Sequence, residues 1–173
     1  MTDSETKPEQ HTDTYAVVGE LVMSSAGIDW QLNHVLIEVL DIGGPLLVEP
    51  VVATLDARLK IEILKERAKH ISAKQWSKGV AKYCDKVEKV FRIRNAVCHL
   101  PPVLKAGVWT FKPVAAAKMF KNIDLANRDV RQVSMGEVSS AVLTARETLG
   151  AGEDLLENFR RFNAEKRRKG LPR

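Results

Sequence analysis

One feature of this 173-residue chain constrains its fold more than any other: apolar or small residues recur at alternating steps of three and four, at Ala73, Trp76, Val80, Tyr83, Val87 and Val90. That period keeps one side of an α-helix apolar and predicts a helix over about 74–100. Pro101-Pro102 stops it, because proline lacks a donor and pushes the residue before it out of the helical region. The next beats of the seam are Arg94 and Val97. A guanidinium thus falls near the centre of the face made by Trp76, Val80, Tyr83 and Val87. A lone charge taken out of water costs on the order of several kcal/mol unless it is paired. Arg94 therefore needs a partner. It is either a carboxylate of the first helix (Glu20, Asp29 or Glu38) or an anionic ligand in a cleft or at a subunit seam.

The same period marks other helices. Val18, Leu21, Ile28, Leu32, Val35, Val39 and Ile42 predict one from about Thr14 to Ile42, ended by Gly43-Gly44-Pro45. The apolar piece LLVEPVVATL leads into a helix near 56–72 that contains Leu59, Ile63 and Leu64. Beyond Pro102 the texture changes. GVWTFKP, 107–113, is β-prone, and NIDLANRDVRQVS supplies a returning strand with its turn. Ser134–Glu137 fits a capping box ahead of a last helix carrying Val138, Val142, Ala145, Leu149, Leu156 and Phe159. Gly150 and Gly152 weaken that helix at its middle. The fold expected is mainly α: an up-down bundle of about four to five helices with a short β-hairpin-like insertion before the last one. It is divided into a disordered tail over 1–13, a helical domain over 14–163 and a basic tail over 164–173.

Composition excludes several classes. No apolar run approaches the roughly eighteen residues of a membrane span, and MTDSETKPEQHTD lacks the apolar centre of a signal peptide, so a cytoplasmic protein with no membrane partner is expected. Two scattered cysteines, Cys84 and Cys98, form neither a disulfide framework nor a metal knuckle, and they read as small core residues. With no Cys/His ligand cluster and no Walker-type glycine loop, the expectation is of no metal and no cofactor. The three tryptophans read as packing anchors. The net charge of +5 is concentrated. Lys74, Lys78, Lys82, Lys86 and Lys89 recur along one helix, Arg92 follows, and Arg167 and Arg168 sit in the C-terminal cluster. Lys82, Lys89, Arg92, Arg167 and Arg168 are the candidate contacts to a polyanion.

The chemistry centres on Arg94, Asn95 and His99. Arginine offers a phosphate two parallel donors and stays charged. Histidine both gives and takes protons near neutral pH. On one ideal helix, however, Arg94 and His99 diverge by about 140°, so joint action needs a distorted last turn or a second subunit. Asp29 and Asn33, four apart beside the first-helix seam, are candidates to line the same cleft.

RNAVCH at the end of a long helix resembles the Arg-x(4–6)-His motif of the HEPN superfamily, helical proteins that are often metal-independent ribonucleases, in which a polar residue commonly follows the Arg. GIDWQLNHVLIEVL resembles that family's first core helix and TLDARLKIEILKERAK its second, so the likeness runs from about 15 to 162. The Arg–His element is its diagnostic part. The resemblance implies a homodimer in which Arg94 of one subunit meets His99 of the other, with Asn95 in support. It implies RNA as substrate, cleaved by its own 2′-OH, and a role as toxin or defence effector with a cognate antitoxin or regulatory protein as a further partner. Many relatives continue as His-x-Tyr; here Leu100 and Pro101 follow, so modification of such a tyrosine is not implied. Two other readings stand beside this one: a non-catalytic HEPN-like dimer that binds nucleotide, RNA or a protein, and a helical interaction protein in which Arg94 is a buried ion-pair residue.

Overall fold

The computed structural model describes residues 8–42, 46–105, 107–112 and 132–170. Five helices occur among them: α1 (Pro8–Leu40), α2 (Val48–Thr54), α3 (Ala57–Lys69), α4 (Lys74–His99) and α5 (Met135–Arg168). Three short strands, β1 (Pro102–Lys105), β2 (Val108–Phe111) and β3 (Val133–Ser134), form an antiparallel sheet between α4 and α5 in the order β1-β2-β3. The fold is the helical bundle with a small β insertion that the periodicity predicts.

The core lies where α1, α4 and α5 meet, with α3 closing one side. Leu21, Ile28, Leu32, Val35 and Val39 of α1 are buried against Val80, Tyr83, Val87, Val90 and Val97 of α4 and Val138, Val142, Ala145, Leu156 and Phe159 of α5. Polar tethers fix the helix directions. Glu20 pairs with Arg146, Gln31 bonds the carbonyl of Leu149, and Asn163 donates to the carbonyl of Glu38, so α1 and α5 run the same way. Lys86 pairs with Glu147 while Trp76 packs edge-on to Phe159, so α4 runs against both.

Several boundaries differ from the sequence expectation. Helix α1 begins at Pro8, so 8–13, assigned to a disordered tail by composition, is helical backbone. Residues 164–168, expected as tail, are the last turns of α5. There Lys166 and Arg167 reach Asp41, whose φ of 53° ends α1. The predicted β segment does form a hairpin, but its first partner is β1, directly after Pro101. Gly107, at φ 76°, reverses the chain between them, a conformation glycine reaches without penalty. Of the expected return strand only Val133 and Ser134 pair with β2, while 113–131 lies outside the described residues. The capping box forms as read: Ser134 Oγ accepts from the backbone N–H of Glu137 at 3.2 Å, and Glu137 accepts from that of Ser134 at 2.9 Å.

The glycines of α5 do not break it. Gly152 is buried because the amide of Gln31 occupies the space a side chain would need: an added Cβ would stand 1.9 Å from Gln31 Oε1. Close approach of α1 to α5 is the reason for glycine there.

Candidate functional site

Arg94 follows Val87, Val90 and Phe91 along the buried side of α4, but its own side chain is only half-buried. The guanidinium carbon lies 5.5 Å from the centroid of the Phe91 ring, and Nη1 donates to Asn95 Oδ1 at 2.9 Å. The ring and the amide hold the fork in place and leave its charge uncompensated.

The carboxylates that could have neutralised Arg94 are committed elsewhere. Glu20 pairs with Arg146, Asp29 with Lys60 at 3.3 Å, and Glu38 with Arg160 at 3.4 Å. Among the described residues neither Arg92 nor Arg94 makes an ion pair. Among the described residues, then, Arg94 has no carboxylate partner.

Arg94 opens instead onto a cleft of about 610 Å³. Its lining includes Asp29, Asp56, Arg58, Glu88, Phe91, Arg92, Arg94 and Asn95, with the apolar Leu55, Ala57 and Ile61. All three carboxylates in it are engaged. Asp29 meets Lys60, Asp56 caps α3 by accepting from the N–H of Leu59 at 2.8 Å, and Glu88 accepts from Lys65 at 2.9 Å. Of the three guanidinium groups, Arg58 is tied to Glu62. Arg92 and Arg94 make no ion pair among the described residues, and two such guanidinium groups suit a phosphate, although Asp56, bonded only to a backbone N–H, keeps its charge beside them.

Lys60 is the residue that sequence reasoning missed. It is 1% exposed, and its ammonium has Asp29 as the carboxylate at its tip. A signal was present: Ala57, Lys60, Ile61, Leu64 and Ala68 repeat the three-four seam, with a lysine in a core beat as Arg94 is in its own. Lys60 holds the Asp29 carboxylate at the cleft edge from behind. Around the cleft, Lys65 keeps its proton more tightly than a free lysine, first through its hydrogen bond to Glu88 and then through that to Asp85.

The other predicted residues scatter. His99, the final residue of α4, is exposed and is not part of the cleft lining, so within one chain the structure brings together Arg94, Asn95 and Asp29 but not His99. Asn33 also lies outside that lining; its Oδ1 is buried and has no hydrogen-bond partner among the described residues. Lys89 and Arg92 line a second groove, of about 510 Å³, beside Ser134 and Glu137 at the start of α5. Lys82 lines a third, with Trp76, Tyr83 and Phe159. Arg167 is 3.4 Å from Asp41, and Arg168 is exposed at the end of α5. Of the tryptophans, Trp76 is the packing anchor expected, set between Phe159 and Phe162, whereas Trp30 is 63% exposed. Cys84 is in the core, as read, but Cys98 is exposed.

No known family model matches the chain, and neither a curated protein nor a solved structure matches it. The functional reading rests on the residues themselves.

Proposed function

We propose that this protein is a metal-independent endoribonuclease of the HEPN type, acting as a homodimer and serving as a toxin or defence effector. The observation that carries the reading is Arg94: a guanidinium fixed by Phe91 and Asn95, without a carboxylate partner among the described residues, and open to a cleft it shares with Arg92. Such a group supports phosphate far better than it supports the fold.

The chemistry follows from RNA carrying its own nucleophile. The 2′-oxygen attacks the adjacent phosphorus as its proton passes to a base. The bond from phosphorus to the 5′-oxygen then breaks, and that oxygen takes up a proton. The products are a 2′,3′-cyclic phosphate and a 5′-hydroxyl. Arg94 offsets the charge that builds on the non-bridging oxygens, and His99 of the second subunit moves the protons. Asn95 accepts from Arg94, so its part is to aim the guanidinium.

RNA cleavage by the purified protein in EDTA tests the proposal. The parent should release cyclic-phosphate ends, and Arg94→Ala and His99→Ala should each lose about 100-fold or more in rate, the scale of removing one acid–base or charge-stabilising group. No cleavage by the parent, or equal cleavage by all three, sinks it.

A second reading, a non-catalytic dimer that binds nucleotide, RNA or a protein, is favoured by one observation: His99 lies outside the lining of the Arg94 cleft. RNA binding that survives His99→Ala but not Arg94→Ala, with no cleavage by the parent, selects it.

A further inference from the structure

Helix α1 is amphipathic in an unusual sense. Its inner side is the core described above, but its outer side is apolar as well. Every exposed residue of α1 from Tyr15 to Trp30 is uncharged, and Met23 and Trp30 are 74% and 63% exposed. On an ideal helix these positions fall within an arc of about 120°, running some four turns along the axis. A solvated face of that length would carry charge.

The order of residues along this stripe says what covers it. Tyr15 and Trp30, Gly19 and Ala26, and Val22 and Met23 are each equidistant from a point midway between Val22 and Met23. Apart from Ala16, whose mirror position is Asp29 at the border, the stripe thus reads large, small, large, small, large from either end. When two copies of α1 cross antiparallel about a two-fold at that midpoint, Tyr15 faces the partner's Trp30. Gly19 faces the partner's Ala26, and Val22 the partner's Met23. Bulky side chains at the ends and centre are separated by positions where the backbones can approach. A two-fold interface requires this self-complementarity, whereas a stripe evolved for a different protein does not. The exposed area of the stripe is on the order of 700 Å², close to the roughly 800 Å² per partner of a stable interface. No charge on the stripe opposes its own copy.

We infer that the outer face of α1 is the homodimer interface of this protein, with two copies packed antiparallel about Val22–Met23. The choice of a second copy draws on the nuclease reading, which requires one, but the palindromic order is independent of it. The pairing also bears on the site. Asp29, at the border of the stripe, lines the Arg94 cleft. Because α4 runs against α1, and Tyr83 of α4 meets Gln31 of α1, the end of α4 at His99 comes level with Tyr15. Tyr15 in turn faces the partner's Trp30, beside the partner's Asp29. One subunit's His99 is thereby brought level with the Asp29 end of the other subunit's cleft, while on the same scale the partner's Arg94 lies about ten residues, or about 15 Å, further along the axis.

Sedimentation of the purified full chain tests this without reference to cleavage. The parent should run at twice its 19.3 kDa. Val22→Asp and Met23→Asp should run as monomers with unchanged helicity, since both side chains are exposed within one chain, and their melting should lose the concentration dependence of the dimer. Register is tested by Tyr15→Lys and Trp30→Glu. Each alone should weaken the dimer at least about tenfold, as loss of a large aromatic contact in an interface does. The double variant, which sets Lys against Glu across the two-fold, should recover part of the loss. A monomeric parent overturns the inference, including one that floats with lipid vesicles or is captured by a different protein. A dimer that Met23→Asp leaves intact also overturns it. A dimer that never cleaves RNA upholds the pairing and removes the nuclease reading, and a cleaving monomer overturns the pairing together with the two-subunit site of that reading.

Discussion

Replacing Gly152 by alanine places a methyl group 1.9 Å from Gln31 Oε1 and 2.2 Å from its Cδ, so the Gln31 amide must leave its place. That amide is buried and bonded on both sides. Nε2 donates to the carbonyl of Leu149 at 2.8 Å, and Oε1 accepts from the Tyr83 hydroxyl at 3.3 Å. Each bond is worth about 1 kcal/mol net, and a buried hydroxyl left without its acceptor costs about 1–3 kcal/mol. Against this, alanine is the better helix former by about 1 kcal/mol. The expected outcome is a net loss of about 2–3 kcal/mol. In a domain of this size that lowers Tm by about 5–10 °C, at roughly 2–4 °C for each kcal/mol. Thermal and urea melts read it directly. Gly150→Ala is the control: the site is exposed, an added Cβ meets nothing within 4 Å, and helix propensity alone should raise stability by up to about 1 kcal/mol. In a Gln31→Ala background the cost of Gly152→Ala should largely vanish, because the two changes share one space. If Gly152→Ala is as stable as Gly150→Ala, or the two effects simply add, the close approach of α1 to α5 is not what keeps glycine at 152.

Asp29→Asn should cost about 2 kcal/mol, less than the roughly 3–5 kcal/mol of a fully buried pair because Asp29 is half open to water, and Lys60→Met in the same chain should recover much of it, as read by urea midpoints. Arg94→Ala should change stability by no more than about 1 kcal/mol, as expected of a half-buried residue outside any ion pair, while removing phosphate contact. Iodoacetamide should modify the native chain once, at exposed Cys98, and a second time only in denaturant, since burial pushes the Cys84 thiol up from 9.0 to about 12; mass spectrometry counts the adducts. The same burial, which also raises Tyr83, sets an alkaline limit. Below pH 9 the folded and unfolded chains both hold these protons. As pH rises from 9 toward 12 the unfolded chain releases them first, so the urea midpoint should fall across that window.

Much of the fold was legible because helices here are set by local period. The seam from Ala73 to Val97, its stop at Pro101-Pro102 and the capping box at Ser134–Glu137 depend on residues within a few turns of one another, and all three stand in the structure. Strand β1 was not legible. Pro102–Lys105 has no β signature of its own and becomes a strand through pairing with Val108–Phe111. The start of α1 at Pro8 was hidden in the same way, because a polar segment gives no period to follow. At the site, Arg94, Asn95 and Asp29 were found because a charge or amide beside an apolar seam is visible in sequence. Lys60 broke its own seam just as plainly and was overlooked.

The sequence by itself determined where a charge would interrupt an apolar face, since helical period is a property of neighbours along the chain. Only tertiary structure decided what that charge would meet. Glu20, Asp29 and Glu38 were all plausible partners for Arg94 in one dimension. In three dimensions Arg146, Lys60 and Arg160 claim them, and Arg94 is left facing a cleft. The same holds for Gly152, a helix breaker by propensity and a contact point by packing. Propensity and period act through a few adjacent residues. The pairing of charges and the fit of a backbone against a side chain act between segments from 31 to 126 positions apart, and folding alone brings those together.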